Sequence, residues 1–318
     1  MPPIPLITWP GLLTTAGALA CIATLAGFAG QLWWGFELAS HFRVQYAAAL
    51  GLGALLALVW RRARWAAVFA GFALLNAALL APRFLPLAEA RTAADGPAFR
   101  ALLANVNSAN RERERNRHTI IAYDPDFVVL LEVTPWLLDH LADLADRYPY
   151  RAAEPREDNF GIALFSRRPF LRADIVQFSA AGLPSIIAGF AADGRRFTLL
   201  GTHPLPPVGA GQAQDRNDQL ARLAAFARQT RQPLLLLGDL NISPWSPHFE
   251  RLLADSGLRD SGRGRGILPS WPVGCPPLRI PIDHALSSAG IQIQRRESGP
   301  DLGSDHYPVI VDFRVIGS

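Results

Sequence analysis

Residues 233–243 read PLLLLGDLNIS, an apolar run that ends in an acid, a leucine and an amide. The same kind of ending recurs along the chain. Asn105 closes ALLAN, Glu132 closes FVVLLE, and Thr202 with His203 closes FTLLGTH. The pairs Asp283-His284 and Asp305-His306 flank apolar runs near the C-terminus. One such ending alone is an ordinary solvated strand end or an Asx turn. Six on one chain point to a shared site, because ligand sites gather at strand ends in layered α/β folds. Carboxylates, amides and imidazoles together suit a hard divalent cation and a phosphate group. Within GDLN, an extended chain points residues two apart to the same side. Asp239 and Asn241 are therefore expected to face one phosphate while Leu240 faces the core.

The elements that must position these residues begin near Ala98. Short apolar runs with turn signals between them predict strands at 101–106, 127–132, 161–166, 185–190, 196–201, 233–238, 282–286 and 308–314. Helices are expected at 111–123, 135–146, 212–229 and 246–255. The third of these places Leu220, Leu223, Ala224 and Ala227 on one stripe. Strands interleaved with helices argue α/β layers. His118, His140 and His248 lie outside the polar strand ends and read as surface or structural. The alternating charges of RERERNR at 111–117 read as a solvated helix face.

The first ninety residues are of another kind. The chain of 318 residues is 50% hydrophobic and only 18% charged, too apolar for one ordinary soluble domain. Leu6 to Gly30, Val44 to Trp60 and Trp65 to Ala81 carry no charge, and each approaches the length a helix needs to cross a bilayer. About three transmembrane helices are expected over residues 1–82, with a Pro-containing linker at 83–97 and a second domain at 98–318. A signal peptide ending at AGALA is the alternative for residues 1–20, although its n-region has no positive charge. The second and third runs could instead form one buried helical hairpin. Arg61, Arg62 and Arg64 lie between those runs. Positive loops stay cytoplasmic, which puts the C-terminal domain outside. All 31 basic residues are arginine, a usage read as that of a GC-rich, bacterial genome. The location expected is thus the inner (plasma) membrane, multi-pass, with the C-terminal domain periplasmic or extracytoplasmic. Net charge is only +4, too little to argue for nucleic-acid binding alone. The two cysteines, Cys21 and Cys275, offer no zinc spacing.

From Ala98 onward the motifs resemble the endonuclease/exonuclease/phosphatase superfamily, which includes deoxyribonucleases, sphingomyelinases and inositol polyphosphate phosphatases. The matching pieces are NVNSAN at 105–110, PDFVVLLEV at 125–133, NFGIALFSRRP at 159–169, GTHP at 201–204, LLGDLN at 236–241, IDHAL at 282–286 and GSDHYPV at 303–309. The resemblance implies a four-layer sandwich of two face-to-face, mostly antiparallel β-sheets flanked by helices. It implies a phosphoester hydrolase dependent on Mg²⁺, with Mn²⁺ as the substitute. Glu132 would be the primary metal ligand, with Asn105 and Asp305 beside it. Asp239 would activate water, and Asn241 would hold a phosphate oxygen. Asp283 would fix the ring of His306, and His306 and His203 would contact the phosphoryl group. Asn159 and Asn110 would touch substrate. Arg263, Arg265 and Trp271, on a loop near the motifs, are further candidates for that role. The substrate implied is a phosphate ester of a nucleic acid or a phospholipid headgroup, with a nuclease-like activity slightly favoured. The membrane is the other expected partner, and no obligate protein partner is evident. The alternative is a non-catalytic, membrane-tethered binding module that retains the fold.

Overall fold

In the computed structural model, residues 8–85 and 96–316 are described. Most of the linker expected at 83–97 lies outside them. The chain divides into two compact units, one of Met1–Phe84 with Trp245–Pro247, the other of Leu85–Pro244 with His248–Ser318.

The first unit is helical: α1 (Trp9–Ala26), α2 (Trp34–Ser40), α3 (Arg43–Val59) and α4 (Ala63–Leu80). Thr8 starts α1 by accepting the Gly11 N–H on its hydroxyl at 3.2 Å, and Pro10 occupies the first turn, where its missing N–H costs nothing. Cys21, Leu50, Ala54 and Phe69 form the small buried core. Gly17 is required there, since a Cβ would come within 2.2 Å of the Phe69 ring. Among the described residues two helices are long and apolar enough to cross a membrane, Trp9–Ala29 and Ala63–Arg83. The second expected run, Val44 to Trp60, reaches that length only if α2 and α3, bent by 63°, are counted together. Among the described residues two helices could thus cross a membrane, or up to three if the bent pair is one span, where the sequence predicts about three. A polar clasp lies among these helices. Arg43 Nη1 donates to Thr24 O at 2.8 Å and Asn76 Nδ2 donates to Thr24 Oγ1 at 3.0 Å.

Among the described residues the second unit holds twelve strands in two six-stranded sheets. They are β1 (Ala98–Asn105), β2 (Phe127–Leu131), β3 (Tyr150–Glu154), β4 (Ile162–Ser166), β5 (Arg172–Gln177), β6 (Pro184–Ala192), β7 (Arg195–Thr202), β8 (Leu234–Asp239), β9 (Arg259–Asp260), β10 (Asp283–Ser287), β11 (Ile291–Ser298) and β12 (Val309–Val315). The order is β11-β12-β1-β2-β4-β3 in one sheet and β5-β6-β7-β8-β10-β9 in the other. Among the described strands only β1 with β2 and β7 with β8 pair in parallel. The helices are α5 (Arg113–Tyr123), α6 (Pro135–His140), α7 (Ala210–Gln229) and α8 (Pro247–Ser256). This is the expected sandwich.

Side chains from both inner sheet faces form the main core, with Leu103, Phe127, Val129, Leu199, Leu235, Leu237 and Val311 fully covered. Phe127 sits at its centre, with ring centroids 4.7 Å from Phe190 and 5.8 Å from Phe197. Fully burying each such side chain contributes about 1.5–3 kcal/mol. On the outer face of the second sheet, α7 buries the expected Leu220, Leu223, Ala224 and Ala227 stripe. The central strands are thus apolar on both faces, which makes their ends the first places where polar side chains can emerge.

Candidate active site

The two parallel pairs bring four strand ends to one end of the sandwich. Asn105 ends β1, Glu132 follows β2, His203 follows β7 and Asp239 ends β8. β10 runs antiparallel to β8 and starts there, with Asp283 directly opposite Asp239. His306 arrives on the loop before β12. The sequence-predicted residues are thus gathered by topology alone.

Their bonds are specific. Asn105 Nδ2 donates to Glu132 Oε1 at 2.9 Å and to Asp239 Oδ2 at 3.1 Å. His306 Nδ1 is 2.8 Å from Asp283 Oδ2, and its Nε2 is 3.6 Å from Asp239 Oδ2. His203 Nε2 lies 3.5 Å from the same Asp239 oxygen and 3.4 Å from Asn241 Nδ2. Asn105, His203, Asp239, Asp283 and His306 are all buried. Thr202, below His203, accepts from Gln219 Nε2 of α7 at 3.1 Å and shares a 2.7 Å bond with Ser185.

The GDLN segment departs from the extended geometry expected of it. β8 stops at Asp239, and Asn241 has φ +52°. Asp239 Oδ1 accepts the Asn241 N–H at 3.0 Å, an Asx turn, for which asparagine in the left-handed region is well suited. Leu240 is fully buried as expected. The turn, and not strand alternation, brings both polar side chains to one side. It is held by Arg216 of α7, a buried residue whose Nη1 donates to Asn241 O at 3.0 Å. Glu132 also leaves its strand, with φ +62°. That conformation is uncommon for glutamate and is found where surroundings enforce it. Here the Ser108 N–H donates to Glu132 Oε2 at 3.1 Å.

The electrostatics follow from burial and neighbours. Burial raises the Asp239 carboxyl, and Asp283 raises it further, to about 6, against the opposing pull of His306 and His203. Burial opposes charge on His306, but Asp283 and Asp239 outweigh it and hold the ring up at about 10. Burial also opposes the Asp283 charge, yet His306 wins and its carboxyl stays below the usual value. Asp239, Asp283 and His306 could offer one atom each within 4.8 Å of one another. Since His306 Nδ1 is already bonded to Asp283, these three make a charged relay and not a cation cage.

A cation could be held beside them. Glu132 and Asp239 converge on a neutral amide, and among the described residues no arginine pairs with either. Asp305 joins through Asn107, whose N–H donates to Asn105 Oδ1 at 3.1 Å and whose Nδ2 donates to Asp305 Oδ1 at 2.8 Å. Trp271 Nε1 donates to Asp305 Oδ2 at 2.9 Å. Glu132 and Asp305, held by neutral amide, backbone and indole donors, offer oxygens that could hold a hard divalent cation.

The remaining candidates lie farther out. Exposed Asn159 accepts a short bond from Ser108 Oγ and so reaches Glu132 at second hand. Asn110 shapes its own loop, bonding Leu302 O at 3.2 Å. Arg265 donates to Ser261 O and Ile293 O, both at 2.8 Å, and Arg263 is exposed. Among the described residues neither arginine bonds to the carboxylate–imidazole cluster. Trp271 meets the site through Asp305. Sequence reasoning missed Asn107, Ser108, Arg216 and Ser270. Ser270 Oγ accepts the Ile282 and Asp283 N–H groups at 3.2 and 3.1 Å. The NVNSAN spacing carried a signal for Asn107 and Ser108; nothing local announced the other two.

The comparisons agree with this geometry. The sequence pattern of the Endonuclease/Exonuclease/phosphatase family matches residues 102–306. The human Nocturnin catalytic domain with bound sulfate anion is 21% identical, with 69% of this chain and 95% of that one covered and a TM-score of 0.56. Sphingomyelinase C from Streptomyces griseocarneus is 22% identical, over 68% and 99% of the two chains, at 0.52. An endonuclease/exonuclease/phosphatase from Bacteroides vulgatus is 17% identical, over 69% and 99%, at 0.59. At such identities the likeness shows the fold. Among curated proteins none matches the chain. The family pattern, the two-sheet fold and the gathered strand-end residues lead to one conclusion: the chain belongs to the endonuclease/exonuclease/phosphatase family.

Proposed function

We propose that the chain is a membrane-anchored, divalent-metal-dependent phosphoester hydrolase. The observation that carries this reading is the convergence of Asn105, Glu132, His203, Asp239, Asn241, Asp283 and His306 on one end of the sandwich. Every position has a side chain competent for the chemistry, which a fold kept only for binding would not need. Glu132, with Asn105 and Asp305, would hold Mg²⁺ or Mn²⁺. When bound, the ion supplies positive charge for the phosphoryl and leaving oxygens.

The chain's own groups do the rest. Ionised Asp239 accepts the proton of the attacking water. The Asn241 turn fixes the Asp239 carboxylate so that one oxygen is spent on the Asn241 N–H and the other faces the site. His306, kept cationic by Asp283, presents Nε2 to a phosphoryl oxygen, where negative charge grows in the transition state. His203 and the Asn241 amide offer donors to the same group.

The test is a metal titration on the full chain in detergent after EDTA treatment. Hydrolysis returns with added Mg²⁺, and Glu132→Gln needs about tenfold more Mg²⁺ or beyond for half-activation. An unchanged Mg²⁺ requirement in Glu132→Gln removes it from the metal site.

A nucleic-acid strand is the first reading of the substrate. Arg111, exposed beside Asn110, suits a polyanion. A specific observation favours a second reading, a phospholipid headgroup. The other rim of the site has no formal charge from Pro204 to Gln214 or from Gly266 to Leu278. Pro204 O accepts from Asn241 Nδ2, and the Val273 N–H donates to Asp305 O, so both loops touch the site. Val208 is 71% and Leu278 50% exposed on them. Nucleic-acid grooves track the backbone with basic residues, which these loops lack. For location, the arginines at 61–64 support a cytoplasmic loop and an extracytoplasmic catalytic domain at a bacterial plasma membrane. A C-terminal reporter fusion active only in the cytoplasm would overturn that orientation.

A further inference from the structure

β11 is an edge strand with an irregularity. Ile291 pairs with Val315 and Ile293 with Phe313, but the register then shifts, so that Arg295 pairs with Asp312 and Arg296 with Val311. Gln294 is the extra residue, a β-bulge. In a regular strand Ile291, Ile293 and Arg295 would share the inner face. The bulge hands that face to Arg296 instead. Arg295 and Gln294 are exposed, while Arg296 is only 6% exposed, against the core-facing Val311. Bulges re-aim side chains in this way, often beside active sites.

The re-aimed guanidinium crosses to the second sheet. Nη2 donates to the carbonyl of Asp283 at 2.7 Å, and Nη1 lies 3.4 Å from Ser261 Oγ and 3.5 Å from Asp260 Oδ1. The reason for a donor at that carbonyl lies in the β9–β10 ladder. Ser261 N–H bonds Ala285 O at 3.1 Å. The next carbonyl on that edge of β10 is Asp283's, and the chain has by then turned away, the Gly262 N–H closing on Asp260 Oδ1 at 2.8 Å. A buried carbonyl left without a donor is costly, and Arg296 supplies the missing rung.

We propose that Arg296, anchored by Asp260, is a positioning residue for the reaction: it fixes the backbone at the start of β10 and thereby the Asp283 carboxylate that holds His306. Asp283 is gripped on both backbone groups, by Ser270 Oγ at its N–H and by Arg296 at its carbonyl. Displacement of a positioned group by about 1 Å can cost about 100-fold in rate. The inference rests on the hydrolase reading for its consequence in rate, and on geometry alone for its consequence at Asp283.

The test uses the full chain and two variants. Arg296→Met alone takes the guanidinium away from the buried Asp260 carboxylate, and can fail to fold for that reason. The Asp260→Asn/Arg296→Met double variant removes both charges, and Arg296→Lys keeps both with a different donor geometry. Two readouts are followed. The first is the low-field proton resonance of the Asp283–His306 hydrogen bond in histidine-labelled protein. It is expected to shift or vanish in the folded double variant and to be partly restored in Arg296→Lys. The second is the kinetic split, with kcat reduced about 10- to 100-fold in the double variant and KM within about twofold. A folded double variant with an unmoved resonance and an unchanged kcat overturns the proposal. A moved resonance in a chain that hydrolyses nothing upholds the positioning role and overturns the hydrolase reading instead.

Discussion

Asp239→Asn lowers kcat by about 10²–10⁴-fold, the contribution of a positioned general base, while the fold and Mg²⁺ affinity persist. Asparagine keeps the shape, and its carbonyl still accepts the Asn241 N–H that closes the turn. What it loses is basicity. Asp239 is the carboxylate that faces both imidazoles, 3.5 Å from His203 Nε2 and 3.6 Å from His306 Nε2, so no neighbouring acid takes over in place. The wild-type rate carries its signature in pH. Burial and Asp283 raise the Asp239 carboxyl to about 6, and the working form is the ionised one. The rate therefore falls as pH drops through about 6, or lower with a cation on Glu132, which favours the carboxylate. Near-normal turnover by Asp239→Asn, measured at saturating Mg²⁺, removes Asp239 from the role of base.

Asp283→Asn has the second large effect, about 10²-fold or more in kcat, and it moves the opposite limb of the profile. In the wild type, Asp283 and Asp239 overcome the burial penalty and hold His306 protonated up to about 10. The cation is the working form, so the rate falls as pH rises through about 10. A raised histidine also stabilises the fold. That contribution is complete below the ordinary value of 6.5, and is lost as pH rises through about 10. With Asp283 neutral, burial works against the imidazolium with only Asp239 and, more weakly, Asp305 to oppose it. The alkaline limb then moves down toward the ordinary histidine range, and an amide nitrogen facing Nδ1 disfavours the right tautomer. The measurement is kcat against pH for both proteins. An alkaline limb that stays near 10 in Asp283→Asn shows that another group sets it.

Much of this site was legible because the central strands are buried on both faces. FVVLL, LLLL and FTLLG can be only core strands, so the first polar residue after each is conspicuous. Asn105, Glu132, His203 and Asp239 were visible in that way, and Asp283 and His306 as the polar residues just ahead of an apolar run. Four strands were not: β3, β5, β9 and β11. They are the four edges of the two sheets. An edge strand has a neighbour on one side only and tolerates polar residues as protection against mispairing. RADIVQ and IQIQRRES therefore show no apolar run to betray them. The same cause hid Arg296, which reads as one more exposed arginine until the bulge at Gln294 turns it inward. Arg216 and Ser270 escaped notice because they act on backbone atoms far away in sequence, Arg216 on Asn241 O and Ser270 on the Asp283 N–H. The Asx turn at Asp239 and the left-handed Glu132 are local, but an apolar run continuing to its polar end looks extended up to its last residue. In the helical unit, composition marked the apolar runs, and the 63° bend between α2 and α3 is a tertiary feature that hydropathy does not encode.

The measurement that bears most directly on the central claim compares the full chain with its Asp239→Asn/His306→Ala double variant. Both are assayed in detergent and in lipid vesicles, with Mg²⁺ and with EDTA, on bis-p-nitrophenyl phosphate, plasmid DNA, RNA and sphingomyelin. Turnover that needs Mg²⁺ and disappears in the double variant is the predicted result. The preferred substrate then decides between the nucleic-acid and headgroup readings. A folded wild-type chain with no turnover on any substrate, or a double variant as active as the wild type, contradicts the account and leaves a binding module with the family's fold.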